Sequence, residues 1–300
     1  MRRRALLAAG AALGLGLPAR PGLAKVAESA ELSRVELSLP GDPLFGRALL
    51  FVPRVLPPKP ELLVLLHGLG ETVEQGMGSR AFAERYGLLT AVQRLTHPPV
   101  ALVDPQHDYF GAGRVDEVNA RLRARPFRCP VLLCPFTPNP YKAGGEETVL
   151  RFARFVTGPL KAEVEQRTGA RFPTARSMIS GVSLGGYLAI ELFLKNPEAY
   201  CALGSAQGAF GPNQAARYAR GVEQATARVG RRRVELLTSS FDPYRRQNEA
   251  FHKHLQQRKQ ASQLRVSPGP HDQRWLNESG VIEMLLSADD VFAEQRAVTP

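Results

Sequence analysis

Apolar positions along the chain alternate between short continuous runs and longer stretches at helical spacing. Glu61-Leu62-Leu63-Val64-Leu65-Leu66 is a continuous run, as expected of a strand buried on both faces of a parallel sheet. Val131-Leu132-Leu133-Cys134, Ser177-Met178-Ile179-Ser180, Tyr200-Cys201-Ala202-Leu203-Gly204-Ser205, Val234-Glu235-Leu236-Leu237-Thr238 and Gln263-Leu264-Arg265-Val266 read as further strands. Ahead of them, 34–39 and 47–52 read as a hairpin-like pair around Gly41-Asp42-Pro43. Helical spacing predicts helices over 79–95, 146–168, 187–194, 213–229, 244–260 and 275–293. Two leading strands followed by βα repeats predict an α/β fold: a mostly parallel central sheet flanked by helices, as a single domain over 25–300.

One interval breaks the rhythm. Between the helix ending near Leu95 and the strand at Val131 lie about thirty residues, the length of a lid, binding loop or edge decoration. This 97–128 insertion precedes the fourth core strand. Its apolar and aromatic residues (Val100, Leu102, Tyr109, Phe110) and the possible hinges Gly111 and Gly113 predict a cover over part of a pocket. Asp104, His107 and Asp108 fall here too, and they read as a polar loop, with no metal spacing elsewhere.

The N-terminus stands apart from the fold. Met1-Arg2-Arg3-Arg4 is a basic start, 5–17 is apolar and rich in Ala, Gly and Leu, and Gly22-Leu23-Ala24 supplies small residues for a peptidase. Residues 1–24 therefore read as a signal peptide, its adjacent arginines similar to a bacterial twin-arginine signal. The expected location is periplasmic or secreted, and the apolar run is too short for a stable membrane anchor. Removing 1–24 takes away Arg2, Arg3, Arg4 and Arg20 and lowers the formal charge from +11 to +7. The remaining clusters, Arg231-Arg232-Arg233 and Arg121, Arg123, Arg125 and Arg128, lack interleaved aromatics and read as solvated surface, not a nucleic-acid groove. Of the three cysteines, Cys129 and Cys134 lie roughly 16 Å apart if the run between them is extended, beyond disulfide reach.

Chemistry concentrates in Gly181-Val182-Ser183-Leu184-Gly185-Gly186, which follows a strand and opens a helix. Strand, Gly-x-Ser-x-Gly, helix is the context of a nucleophile elbow, in which small residues around the serine let strand and helix backbones approach. Such a serine needs a base, and the base an orienting acid, each on a loop after a strand and in the order Ser, Asp, His. Asp242 follows the strand 234–238, and His271 follows the strand 263–266. The expected triad is Ser183, Asp242 and His271. The expected oxyanion donors are the backbone N–H groups of Leu184, after the nucleophile, and of Leu69, in His67-Gly68-Leu69-Gly70-Glu71. His67 is expected to brace that loop. His252 and His254, two apart on a helix, point to different faces.

Asp242-Pro243-Tyr244, Asn248, Phe251, Leu255 and Pro268-Gly269-Pro270-His271-Asp272 with Trp275 resemble the C-terminal half of the esterase D–like branch of α/β-hydrolases. His67-Gly68-Leu69 and Gly181–Gly186 match its oxyanion loop and elbow. The resemblance spans 33–290 outside the 97–128 insertion, with Pro-Gly-Pro-His where Gly-Gly-His is more usual. It implies hydrolysis of a carboxylic ester or thioester through an acyl-enzyme, with no cofactor and with a small-molecule or polymer-derived ester as partner. Acyl transfer through the same intermediate, and a non-catalytic binding protein on the same scaffold, are the alternatives.

Overall fold

The computed structural model describes residues 31–40, 42 and 44–298. The signal peptide read at 1–24 lies outside the described residues, as do Gly41 and Pro43 of the predicted turn. One eight-stranded sheet organises the chain, in the order β1-β2-β4-β3-β5-β6-β7-β8. β1 (Leu32–Ser38) and β2 (Arg47–Pro53) are antiparallel to each other, and β2 is antiparallel to β4 (Val131–Pro135). From there β3 (Leu62–Leu66), β5 (Ser177–Gly181), β6 (Ala202–Ala206), β7 (Arg233–Phe241) and β8 (Ser262–Pro270) run parallel.

Side-chain alternation along β3 feeds two cores. Leu62, Val64 and Leu66 pack on one face, Leu63 and Leu65 on the other. The first face is covered by α4 (Glu146–Phe155), α5 (Lys161–Thr168), α6 (Leu184–Lys195), α7 (Ala215–Val229) and α8 (Arg245–Gln257). The second is covered by α1 (Gln75–Glu84), α2 (Leu88–Thr96), α3 (Arg114–Ala124), the short α9 (Gln273–Trp275) and α10 (Val281–Val298). Both faces of the central strands are thus buried, which is why their sequences read as unbroken apolar runs. Among the described residues, no helix is long and apolar enough to cross a membrane.

Three departures from the sequence reading have local causes. The single helix read at 79–95 is two, because Gly87 adopts φ +72° between α1 and α2. The long helix at 146–168 does run through, but a wide turn over 156–160 absorbs Pro159. The 97–128 insertion contains α3, which the pattern did not show. Only Val118, Asn119 and Leu122 of α3 are buried. The rest of its attachment is ionic: Arg114 forks onto Glu283 at 2.7 and 2.8 Å, Arg121 reaches Asp289 at 2.7 Å, and Arg125 pairs with Asp290. Asp289 is fully buried, so Arg121 is structural and not the solvated surface charge expected of it.

Parallel strands deliver their C-terminal ends to one edge of the sheet, and four post-strand loops meet there. The β3 loop begins at His67, the β5 loop holds Ser183, the β7 loop Asp242 and the β8 loop His271. Because β3 neighbours β5, the first loop abuts the elbow; because β7 neighbours β8, the aspartate lies beside the histidine. β6 lies between and stops at Ala206, which leaves room for the β8 loop to cross above its end. Gln207 marks that crossing, its Nε2 donating to the Pro270 carbonyl at 3.0 Å.

Candidate active site

Ser183 is held at φ 56°, ψ −118°, a conformation costly for a residue with a Cβ. The surroundings enforce it. A Cβ on Gly185 would lie 2.0 Å from the Leu66 carbonyl oxygen, and one on Gly181 would lie 2.3 Å from the Gly185 carbonyl oxygen. Strand and helix therefore cross at backbone contact, and the serine takes up the strain of the turn between them. The Ser183 N–H donates to the Ala206 carbonyl at 2.9 Å, and its own carbonyl accepts from Tyr187 and Ala209, each at 3.0 Å.

His271 Nε2 lies 2.9 Å from Ser183 Oγ, and its Nδ1 lies 2.8 Å from Asp242 Oδ1. A carboxylate only accepts, so Nδ1 carries the proton and Nε2 is left to accept from the serine hydroxyl. The Asp242 side chain is fully buried and held by two more donors, Tyr244 N–H on Oδ1 at 2.9 Å and Thr238 Oγ1 on Oδ2 at 2.6 Å. The loop carrying His271 is fixed as well. Ser239 Oγ donates to Pro270 O at 3.1 Å, Gly269 N–H donates to Ser240 Oγ at 3.1 Å, and Trp275, fully buried, donates its indole N–H to Ser267 Oγ at 2.9 Å. Thr238, Ser239 and Ser240 form a polar end to an apolar strand, a local signal that this end of the strand meets polar partners.

On the other side of the serine, a Cβ built on Gly68 would lie 3.7 Å from Ser183 Cβ, so the β3 loop closes against Ser183. Leu69 opens a short 3-10 turn over Leu69–Glu71, and Leu184 opens α6. First-turn N–H groups have no acceptor inside their own helix. A cleft of about 270 Å³ joins the two sides, lined among others by Gly68, Leu69, Glu71, Ser183, Gln207 and His271.

Solved structures with the same arrangement of elements bear on the fold. A ferulic acid esterase superposes at TM-score 0.61 and 14% identity, covering 87% of this chain and 99% of its own. An S-formylglutathione hydrolase from Staphylococcus aureus gives 0.56 at 11% identity, over 86% of this chain and 98% of its own. The fold is that of the α/β-hydrolases. An enterobactin esterase from Shigella flexneri gives 0.56 at 14% identity over 89% of this chain, which spans 60% of that protein's length. No protein-family model and no curated protein matches the chain.

Within this α/β-hydrolase fold, His67 is buried and its pKa is lowered to about 4 by desolvation, so it stays neutral at ordinary pH. Its Nδ1–H donates to the Gly68 carbonyl at 2.9 Å and its Nε2 accepts from Thr137 N–H at 2.8 Å. Both ring nitrogens are engaged in bracing the loop. His252 and His254 lie on α8, where His252 faces Ser262 and His254 faces Gln257. Asn248, also on α8 and fully buried, donates to the carbonyls of Gly208 and Tyr244, pinning the loop after β6 beside the serine.

The 97–128 insertion lies against the loop after β8. No residue from it is among the described residues lining the cleft. It packs behind the β8 loop: a Cβ on Gly269 would lie 2.7 Å from the Tyr109 ring, and Ser279 Oγ donates to the Tyr109 carbonyl at 3.1 Å. Asp104 accepts from His107 at 2.8 Å and pairs with Arg274, while Asp108 accepts from the N–H groups of Phe110 and Gly111. The arginines of α3 are the physical reason, since their partners lie on α10 and draw the segment to that face. Sequence reasoning also missed Gln207, Glu71, Tyr86 and Gln273, which no local pattern distinguishes from ordinary surface or turn residues.

Proposed function

We propose that this protein is an exported serine hydrolase that cleaves carboxylic esters or thioesters through Ser183, His271 and Asp242. The observation that carries this reading is the hydrogen-bonded run from Ser183 Oγ through His271 to the buried Asp242, set on a strained elbow. Three solved structures of the same fold are named as esterases or a hydrolase, which supports the reaction class.

The chemistry follows from the positions. His271 Nε2 takes the hydroxyl proton as Ser183 Oγ attacks the acyl carbonyl, and the buried Asp242 carboxylate stabilises the imidazolium. The oxygen of the tetrahedral intermediate gains negative charge, which the N–H groups of Leu184 and Leu69 stabilise by donating hydrogen bonds to it. Collapse expels the alcohol or thiol, which receives the proton from His271. Water then attacks the acyl-enzyme with His271 again as base, restoring Ser183. No step in this sequence calls on a cofactor or metal. Residues 1–24 direct the chain to the periplasm or beyond.

Fluorophosphonate labelling and turnover of p-nitrophenyl esters of graded chain length test the reading. Ser183→Ala should abolish both and leave the melting temperature within a few degrees of the parental value, since the elbow serine serves chemistry. Labelling retained in that variant would move the nucleophile elsewhere. Turnover that requires an added alcohol or sugar acceptor would turn the reading to acyl transfer.

A further inference from the structure

The β3 loop carries a carboxylate that the triad does not use. Glu71 is 3% exposed, ends the 3-10 turn begun by Leu69, and lines the same cleft as Ser183 and His271. Both of its oxygens are engaged. The Tyr86 hydroxyl donates to Oε2, Gln273 Nε2 donates to Oε1 at 3.2 Å, and Arg85 Nη1 stands 3.6 Å from Oε1. Tyr86 oxygen in turn accepts the Gly68 N–H at 3.2 Å.

The direction of this relay is forced. A backbone N–H can only donate, so the one phenolic proton must go to the carboxylate. Burial first, and the adjacent Glu71 charge second, push the Tyr86 pKa upward, so the phenol keeps its proton. Gly68 N–H is thereby committed to Tyr86, on a loop whose next residues, Leu69 and Gly70, line the cleft with Ser183. Gln273 follows His271 by two residues, so the same carboxylate ties this loop to the base loop. A free carboxylate here would repel an oxyanion; the donors of Tyr86, Gln273 and Arg85 draw its charge away from the cleft.

We propose that Glu71, with Tyr86 and Gln273, is a positioning clasp that holds the oxyanion donors in register with His271 without touching the substrate. The proposal rests on the hydrolytic reading of Ser183, His271 and Asp242. Losing the clasp should raise the barrier and leave ground-state binding alone, because the donors matter most when the oxyanion forms.

The test uses p-nitrophenyl acetate turnover together with binding of phenylboronic acid, which forms a tetrahedral adduct on an active serine. Tyr86→Phe should lower kcat by about ten- to a hundredfold, with KM within about threefold, and weaken boronate binding by the same factor as kcat. Gln273→Ala changes an exposed side chain, and should show the same pattern at about three- to tenfold. The double variant should lose less than the product of the two, since both act through Glu71. Glu71→Gln, which can still accept from Tyr86, should recover most of what Glu71→Ala loses. Unchanged kcat in folded Tyr86→Phe and Gln273→Ala would overturn the clasp. So would a fall in kcat with boronate affinity intact, or a rise in KM alone. Parental protein and Ser183→Ala run alongside: without Ser183-dependent turnover the hydrolytic reading itself falls. In that case amide exchange over residues 68–72 still decides the clasp, because Tyr86→Phe should accelerate it and equal exchange would overturn it.

Discussion

Asp242 Oδ1 accepts two hydrogen bonds, one from His271 Nδ1 and one from the Tyr244 backbone. Tyr244 N–H cannot reverse its role, so in Asp242→Asn the amide oxygen is pinned at that position and the NH₂ turns to Thr238 Oγ1, whose hydroxyl can rotate to accept it. The imidazole then keeps its productive tautomer, and the loss is that of the negative charge alone. Turnover should fall by about 10²–10³-fold, short of the ~10⁴ that a wrong tautomer causes, with KM near the parental value. Steady-state kinetics on an aryl ester decide it. A parental rate would reduce Asp242 to a turn-capping residue, and a 10⁴-fold loss would mean that the amide has flipped.

At the scale of elements, the elbow is a crossing of backbones. The Cβ of Gly185→Ala would meet the Leu66 carbonyl oxygen at 2.0 Å and the His67 carbonyl oxygen at 2.6 Å, and neither backbone can yield without shifting β3. Destabilisation of about 3 kcal/mol or more should follow, seen as a lowered denaturant midpoint or loss of soluble protein. Gly70→Ala, with nothing within 4 Å of its Cβ, is the control and should stay within about 0.5 kcal/mol. Equal stability of Gly185→Ala and the parental chain would place the helix farther from β3 than the structure has it. Gly-x-Ser-x-Gly was legible for this same reason: the motif is short because the crossing is local. The place of the insertion was not legible, because what holds it is Arg114 on Glu283 and Arg121 on Asp289, partners some 170 residues apart.

For the whole molecule, His67 links stability to pH. Its folded pKa of about 4 lies below the ordinary 6.5, because burial disfavours the charged ring. The unfolded chain therefore binds more protons between pH 4 and 6.5. The stabilisation is complete above about pH 6.5, is lost as pH falls through that window, and changes no further below about 4. Its size is about 3 kcal/mol. Denaturant unfolding at pH 7 and pH 4.5 should show the parental protein losing more stability on acidification than His67→Asn. Identical losses in the two proteins would mean that other groups govern the acid limb.

Much of this protein is settled one segment at a time. The apolar run at 61–66, the small residues around Ser183, and Asp242 and His271 each placed just after a strand are local statements. They are enough for a parallel sheet with these three residues at its C-terminal edge, because strand direction alone brings those ends together. What the tertiary structure decided is non-local. The crossing of the β8 loop over the short β6, held by Gln207, sets the distance from His271 to Ser183. The joining of Gly68, Tyr86, Glu71 and Gln273 ties the loop after β3 to the loop after β8. The ion pairs of α3 with α10 fasten the insertion to that helix. Each of these depends on polar groups that meet only when distant parts of the chain are packed, and hydrophobic periodicity carries no record of which charge or amide will face which.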